Sequence, residues 1–262
     1  MELVFYGVMF VLGVVFGSFL ACQAWRLHYY DTKKKKLGKR SVCLSCRKQL
    51  RWYDNIPIFS WLFLRGKCRY CGKKIGLMEI LAEVLMGLAF FGIATTIDLD
   101  ANVMTWMIFG VTLLLILSLG FLAIYDGKWG ELPDFMLIIS AIIAVGLFGL
   151  KVFNNGGLSI GGIWNTVGAV LILGGLYLIL YLVSRGKWVG NGDWILGAII
   201  GLVLGESWLA LIVLFLANFI GTLVMYPAVK KRKDSKIYFG PFLVVAFVIT
   251  LVFSGFFNSL IF

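Results

Sequence analysis

Five cysteines occur in the chain, and four of them form two C-x-x-C pairs. Cys43 and Cys46 make the first pair, and Cys68 and Cys71 make the second after 21 intervening residues. Two such pairs can offer four thiolates to one tetrahedral Zn²⁺, and four thiolates leave no open position for a substrate. The spacing therefore predicts a structural zinc site, with two disulfides or free thiols as the alternatives.

Carboxylates that border apolar segments are the other residues that could do chemistry. An ionisable side chain in or beside a membrane span is costly and marks a functional site by default. Two carboxylates that meet in a partly dry site share a proton, so one can activate water while the other polarises a peptide carbonyl. This is the chemistry of aspartyl proteases. The acidic residues in such positions are Glu79, Glu83, Asp126, Glu131, Asp134 and Asp193.

Asp126 and Asp193 are the candidates for the carboxylate pair. Asp126 ends an apolar stretch, and Asp193 precedes another one in the sequence Gly190-Asn-Gly192-Asp193. The two glycines would let the main chain approach an extended peptide closely. Asp134 follows a proline, and both residue types suit the first turn of a helix. The alternative is that these acids pair with nearby cations, namely Lys128, Arg185 or Lys187.

Membrane helices are the elements that must position these residues. The 262 residues are 61% hydrophobic and 14% charged, with a mean hydropathy of +0.95. Soluble domains are about half apolar and a quarter charged, so a soluble enzyme, a disordered chain and a collagen-like fibre are excluded. Eight apolar stretches are predicted to cross the roughly 30 Å hydrocarbon core. They are approximately 3–25, 77–97, 103–125, 135–153, 164–183, 194–205, 207–226 and 239–260.

The basic residues orient these stretches. Of the 24 Lys and Arg residues, 23 lie in segments 26–76, 126–134, 185–193 and 228–238. The positive-inside rule places all four segments in the cytoplasm, with both termini outside. An even number of crossings must then separate any two of these cytoplasmic segments. The apolar run 194–226 joins two of them, so it must cross the membrane twice, and its first span must be short. The net charge of +11 lies on one side of the membrane, which argues against nucleic acid as a partner.

The predicted architecture is an all-α polytopic membrane protein with eight transmembrane helices. Residues 1–25 form the first helix, 26–76 a cytoplasmic, zinc-ribbon-like tetracysteine insert, and 77–262 a seven-helix membrane domain. Because the cytoplasm is reducing, disulfides in the insert are disfavoured. This topology brings Asp126 and Asp193 to the same membrane face at similar depth.

In chain order, these motifs resemble those of the bacterial type IV prepilin peptidase (prepilin leader peptidase/N-methyltransferase) family. The resemblance covers almost the whole chain. The segments that carry it are 17–20 with 26–27, 43–46, 50–57 with 60–61, 65–72, 126–134, 190–193 and 239–242.

The resemblance implies an intramembrane aspartyl endopeptidase of the bacterial cytoplasmic (inner) membrane. Its catalytic pair would be Asp126 and Asp193, with Asp134, Gly190 and Gly192 in support. Its substrates would be type IV prepilins or pseudopilins, cut after a glycine at the cytoplasmic face of the bilayer. Many family members then methylate the new N-terminal residue with S-adenosylmethionine. The resemblance assigns no residue of this chain to binding that methyl donor.

Of Glu79 and Glu83, which lie one helical turn apart, Glu83 better matches a family residue in the half of the protein linked to methyl transfer. Its alternative role is to partner polar groups of the first helix or of the basic insert. Two positions in this half depart from the family pattern: Ala21 replaces a usual Asn, and Met78 begins a segment that usually reads Arg-Tyr-Pro. Ile195 also replaces a usual Lys. The alternatives are a peptidase without methyltransferase activity, a different G-x-G-D intramembrane protease, or a non-catalytic scaffold of a secretion or pilus system.

Two predictions concern helix packing. Gly197, Gly201 and Gly205 form a stripe of small residues that permits close approach of another helix. Asn218 lies within an apolar span and is predicted to be buried and hydrogen-bonded to a different helix.

Overall fold

The computed structural model describes residues 1–33, 41–43, 45–186, 189–231 and 238–260. The elements in these residues are helices and two isolated β-bridges, which confirms the all-helical prediction. A short 3-10 helix, Trp52–Asn55, lies in the insert. The α-helices are α1 (Glu2–Lys33), α2 (Phe59–Phe63), α3 (Leu77–Ala94), α4 (Val103–Trp129), α5 (Asp134–Asn154), α6 (Ile160–Ser184), α7 (Asp193–Leu204), α8 (Ser207–Lys231), α9 (Gly240–Val252) and α10 (Ser254–Ser259).

Six of the described helices are long and apolar enough to cross a bilayer, so the chain is a multi-pass membrane protein. They are α1, α3, α4, α5, α6 and α8. The other two predicted spans correspond to α7 and α9, which have 12 and 13 residues. At 1.5 Å per residue each is roughly 20 Å long, which is shorter than the hydrocarbon core. The predicted count of eight is therefore confirmed for six spans.

The chain divides into two compact units, Met1–Ala94 and Thr95–Phe262. In the first unit, α1 lies against α3 with almost no side chain between them. A Cβ atom added to Gly17 would lie 2.5 Å from the main-chain oxygen of Ala82. Small residues allow two membrane helices to approach this closely.

In the second unit, α6 and α7 pack with their main chains close together. A Cβ added to Gly201 would lie 2.6 Å from the main-chain oxygen of Ala169, and one added to Gly197 would lie 2.7 Å from that of Leu173. The contacts step by four residues in opposite directions along the two chains, so α6 and α7 are antiparallel. This confirms the packing stripe at Gly197 and Gly201, whereas Gly205 ends α7 in the left-handed conformation at φ +69°.

The last turn of α7 is capped by a lysine from α5. The Nζ atom of Lys151 donates to the carbonyl oxygen of Val203 at 2.9 Å, and Glu206 lies close enough for a favourable Coulombic interaction with it. The last four carbonyls of a helix lack partners within the helix. Lys151 therefore helps this short helix to end inside a packed protein.

The prediction that Asn218 is buried was wrong, although its side chain does lie beside Tyr177 of a different helix, α6. The Asn218 side chain is exposed, and its Nδ2 atom donates at 2.7 Å to the carbonyl oxygen of Leu214 on the same helix. A short polar side chain in a helix can bond the carbonyl four residues earlier, so part of its hydrogen-bonding capacity is met within its own helix.

We predict that Gly201→Ala destabilises the protein, because the new methyl group would overlap the main chain of α6. Overpacking of this kind costs about 1–3 kcal/mol. The measurement is the thermal unfolding midpoint in detergent. The matched control is Gly146→Ala in α5, where an added Cβ meets nothing within 4 Å. That control should be as stable as wild type or more so, and an equal loss in both variants would contradict the packing argument.

Candidate functional site

The tetracysteine insert contains two knuckles with the same main-chain hydrogen bonds. In the first, the N–H of Cys43 donates to Lys48 O and the N–H of Arg47 donates to Cys43 O, both at 2.9 Å. The second repeats both bonds 25 residues later, at 2.8 and 2.9 Å. The residue after each second cysteine is left-handed, with φ of 58° at Arg47 and 68° at Gly72. Each knuckle therefore turns its two thiols to one side by the same local geometry.

The four sulfur atoms of the two knuckles form one cluster. All four lie within 4.8 Å of one another, and those of Cys43 and Cys71 are 3.9 Å apart. The thiols are free and not joined as disulfides. Tetrahedral Zn²⁺ with Zn–S bonds of about 2.3 Å places its sulfur ligands about 3.8 Å apart, so this donor set fits zinc. The predicted cluster is confirmed as a group that could hold a metal ion.

The thiols in the cluster influence one another's protonation. Burial acts to raise the pKa of Cys43, but hydrogen bonds from the backbone of Cys46 and Ser45 and from neighbouring thiols lower it to about 6. The backbone of Lys73 favours the Cys71 thiolate, but burial and the other three sulfur atoms raise the pKa of Cys71 to about 11. Without a cation, the cluster therefore favours the thiolate form at some of its cysteines and not at others. A bound cation would stabilise the thiolate form of all four.

Glu83, on α3, connects the insert to the helices of the first unit. It is 9% exposed, and its carboxylate accepts a hydrogen bond from the N–H of Ile58 at 2.7 Å. The side chain of Ser18 on α1 also lies beside it. Ile58 has a φ of 61°, which is unfavourable for a β-branched residue. The partners of Glu83 therefore come from both the first helix and the insert, and Glu83 holds a strained point of the loop.

In the second unit, Asp126 lies in the last turn of α4 and is 5% exposed. Its Oδ2 atom accepts a hydrogen bond at 2.9 Å from the N–H of Gly240, the first residue of α9. A Cβ on Gly240 would lie 2.8 Å from that same oxygen, so only glycine leaves room for this contact. The N-terminus of a helix also favours negative charge through its dipole.

Asp193 is the first residue of α7 and is 6% exposed. Its Oδ2 atom accepts a hydrogen bond at 2.8 Å from the N–H of Gly190. A Cβ on Gly192 would come within 2.7 Å of the Leu132 side chain, so this glycine permits a close contact. Gly190 thus holds Asp193 and Gly192 allows Leu132 to lie close to the loop, while the role of both glycines in admitting a peptide stays a prediction.

The charges of Asp126 and Asp193 lie close enough to interact. Neither carboxylate has an ion-pair partner among the residues that the structure describes. Of the basic residues considered as alternative partners, Lys187 lies outside the described residues. The arrangement presents two nearly buried carboxylates, each held at Oδ2 by a main-chain N–H. Such a pair can share one proton and act on water.

Asp134 occupies a different kind of position from the two buried aspartates. It is exposed and is the first residue of α5, directly after Pro133, as its sequence context predicted. Its proximity to the N-terminus of α5 accounts for its position electrostatically. A supporting role in chemistry stays a prediction.

Two residues around the pair were not identified by sequence reasoning. Gly240 lies in a segment that carried the family resemblance, but nothing in that segment indicated that its N–H would bind Asp126. Tyr177 lies in the long apolar helix α6, is 3% exposed, and packs its ring 5.0 Å from that of Phe239. A tyrosine inside an apolar span was the available signal, since its hydroxyl needs a partner there.

The comparisons with known proteins identify first a class of enzyme. Residues 11–97 match the family model described as "Bacterial Peptidase A24 N-terminal domain". Among similar curated proteins, a prepilin leader peptidase/N-methyltransferase of Pectobacterium carotovorum is 28% identical, covering 96% of this chain and 94% of its own length. The protein of the same name from Neisseria gonorrhoeae is 34% identical, covering 79% of this chain and 68% of its own length.

A third relative with this name, from Vibrio cholerae, is 29% identical over 95% of this chain and 97% of its own length. The chain belongs to the prepilin leader peptidase/N-methyltransferase family, as its motifs predicted. No solved structure matches it.

We predict that the purified protein contains about one zinc ion per chain, because four clustered thiolates form a closed tetrahedral site. Metal analysis by mass spectrometry measures the ratio. Cys68→Ser should lose most of the metal. Cys22→Ser is the control, because Cys22 lies outside the cluster, and it should keep the wild-type ratio. Equal metal content in both variants would show that the cluster is not the metal site.

Proposed function

We propose that the protein is an aspartyl endopeptidase of the bacterial cytoplasmic membrane that removes the leader of type IV prepilins or pseudopilins. The observation that carries this proposal is the pair of nearly buried carboxylates, Asp126 and Asp193, whose charges interact within one unit. The names of the relatives supply the substrate class. Cleavage after a glycine at the cytoplasmic face follows from the family resemblance and the predicted topology.

In this mechanism the pair holds one proton. The ionised carboxylate accepts a proton from water, and the water oxygen bonds to the carbonyl carbon of the scissile peptide. The protonated carboxylate gives its proton to the carbonyl oxygen, so a neutral tetrahedral diol forms. The first carboxylate then passes the proton that it took from water to the peptide nitrogen as the C–N bond breaks, and a hydroxyl of the diol gives its proton to the second carboxylate. The products are a carboxyl terminus and an amine, and the pair again holds one proton.

The main-chain donors position the two acids for these steps. The N–H groups of Gly240 and Gly190 each hold one oxygen of a carboxylate. The second oxygen of each can then face water or the peptide. Asp134 acts in support near the start of α5, and Gly192 lets the Asp193 loop pack closely.

The membrane topology in this proposal has eight crossings. The helices α7 and α9 complete the count as short spans, and the segments rich in Lys and Arg face the cytoplasm. Residues 1–25 then form the first span, 26–76 the cytoplasmic zinc-binding insert, and 77–262 the membrane domain with the peptidase site. Both carboxylates lie near the cytoplasmic ends of their helices in this arrangement.

Methylation of the new N-terminal residue with S-adenosylmethionine is the second activity that we propose, again from the names of the relatives. Glu83 supports it as a positioning residue, because its carboxylate is engaged with the main chain of Ile58. The substitutions at Ala21 and Met78 favour the alternative of a peptidase without this second activity.

The peptidase proposal predicts that Asp126→Asn and Asp193→Asn each abolish cleavage, because an amide can neither hold the shared proton nor accept one from water. The measurement is leader removal from a synthetic prepilin by the full-length protein in detergent or lipid, followed by mass spectrometry. The matched control is Glu131→Gln, an exposed acid between α4 and α5, which should cleave at the wild-type rate. Cleavage by either Asn variant at more than about 1% of that rate would contradict the assignment.

The methylation proposal is tested with the same substrate and isotopically labelled S-adenosylmethionine. Wild-type protein should yield a cleaved product that carries one added methyl group. Glu83→Gln should cleave normally but methylate about 10-fold more slowly, because the weakened acceptor no longer holds Ile58 as firmly. Cleavage without methylation by the wild type would favour the peptidase-only alternative.

A further inference from the structure

The hydroxyl of Tyr177 is a buried hydrogen-bond donor that the fold leaves without a partner. The residue is 3% exposed, and its oxygen makes no hydrogen bond to any residue that the structure describes. Leaving a buried polar group unpaired costs folding free energy, and such groups in native proteins call for a functional explanation.

The side chain of Asn218 on α8 lies beside this hydroxyl and interacts with its oxygen as a donor. The geometry is not that of a formed hydrogen bond, and the amide nitrogen of Asn218 donates at 2.7 Å to Leu214 O on its own helix. An amide that acts as a donor leaves the proton of the Tyr177 hydroxyl available to an acceptor such as a substrate carbonyl.

The register of α6 and α7 shows where this donor lies. Gly201 meets Ala169, and one turn earlier in α7 Gly197 meets Leu173. One further turn along the same antiparallel pair places Asp193 opposite Tyr177. The electrostatic interaction between the Asp193 carboxylate and the Tyr177 hydroxyl agrees with this placement.

Two features of the fold hold the Tyr177 ring in place. It packs against Phe239, which directly precedes the Gly240 that binds Asp126. The π-helical turn Leu171–Gly175 ends two residues before it, and such turns often occur at functional sites. Tyr177 thus lies between the two elements that hold the carboxylates.

We propose that Tyr177 donates a hydrogen bond to the carbonyl oxygen of the scissile peptide. This inference rests on the proposed aspartyl peptidase function and adds a third substrate-contacting group to it. As water adds to the carbonyl carbon, negative charge grows on that oxygen before the protonated carboxylate delivers its proton. A fixed donor in a water-poor site stabilises this charge more in the transition state than in the bound substrate. Tyr177 keeps its own proton throughout.

The test is Tyr177→Phe in the prepilin cleavage assay with the full-length protein. The phenyl ring retains the packing against Phe239 and removes only the hydroxyl. We expect kcat to fall about 100-fold with KM changed less than about 3-fold, as for the loss of one oxyanion donor. The thermal unfolding midpoint should stay equal or rise, because an unpaired buried hydroxyl is lost. Tyr181→Phe, one turn further along α6, is the matched control and should behave as wild type.

Three outcomes would overturn the inference. A wild-type kcat for Tyr177→Phe, while Asp126→Asn and Asp193→Asn are inactive, would remove Tyr177 alone from the mechanism. A fall in kcat together with a lower unfolding midpoint would assign the residue a purely structural role. Continued cleavage by the two Asn variants would instead overturn the proposed function itself, and the role of Tyr177 with it.

Discussion

The need to hold two carboxylates where water is scarce constrains the second unit most strongly. A carboxylate removed from water needs a donor or a cation. Here the donors are main-chain N–H groups near the first turns of α9 and α7, at Gly240 and Gly190. Main-chain N–H groups give each carboxylate a hydrogen-bond donor without adding a positive charge. A lysine or arginine at the same place would favour the ionised form of both carboxylates. The pair that is proposed to share one proton can therefore persist at this position.

In the proposed topology, this use of helix starts accounts for the lengths of the two short helices. A helix that begins beside a buried carboxylate would begin below the membrane surface and have less hydrocarbon left to cross. Such a helix must also end in a packed environment, where its last carbonyls need partners. Lys151 supplies one for α7, and Gly205 turns the chain immediately afterwards. Asp193 at the start of α7 and Lys151 at its end therefore both contribute to keeping this helix short.

The sequence predicted the helices well, because apolar length and positive charge are local properties. It also predicted the cysteine cluster, since knuckle geometry depends on a few adjacent residues. It did not predict the partners of Asp126 or the place of Tyr177, because both depend on the register between distant helices. The burial of Asn218 was mispredicted for a related reason: a polar residue in an apolar span can bond a carbonyl of its own helix, and the sequence does not show which face of the helix is exposed. The count of eight spans allowed for a short α7, but it assumed an ordinary length for the last span, where α9 has 13 residues.

The two knuckles also bear on how the insert acquires its order. Twenty-one residues lie between Cys46 and Cys68, including the 3-10 helix and α2. Bringing the ends of such a segment together costs chain entropy that grows with the logarithm of its length. An ion held by both knuckles acts as a reversible cross-link at the base of this loop. The metal supply of the cell would then help to set the fraction of chains whose insert is closed, alongside the hydrogen bond from Ile58 to Glu83 on α3.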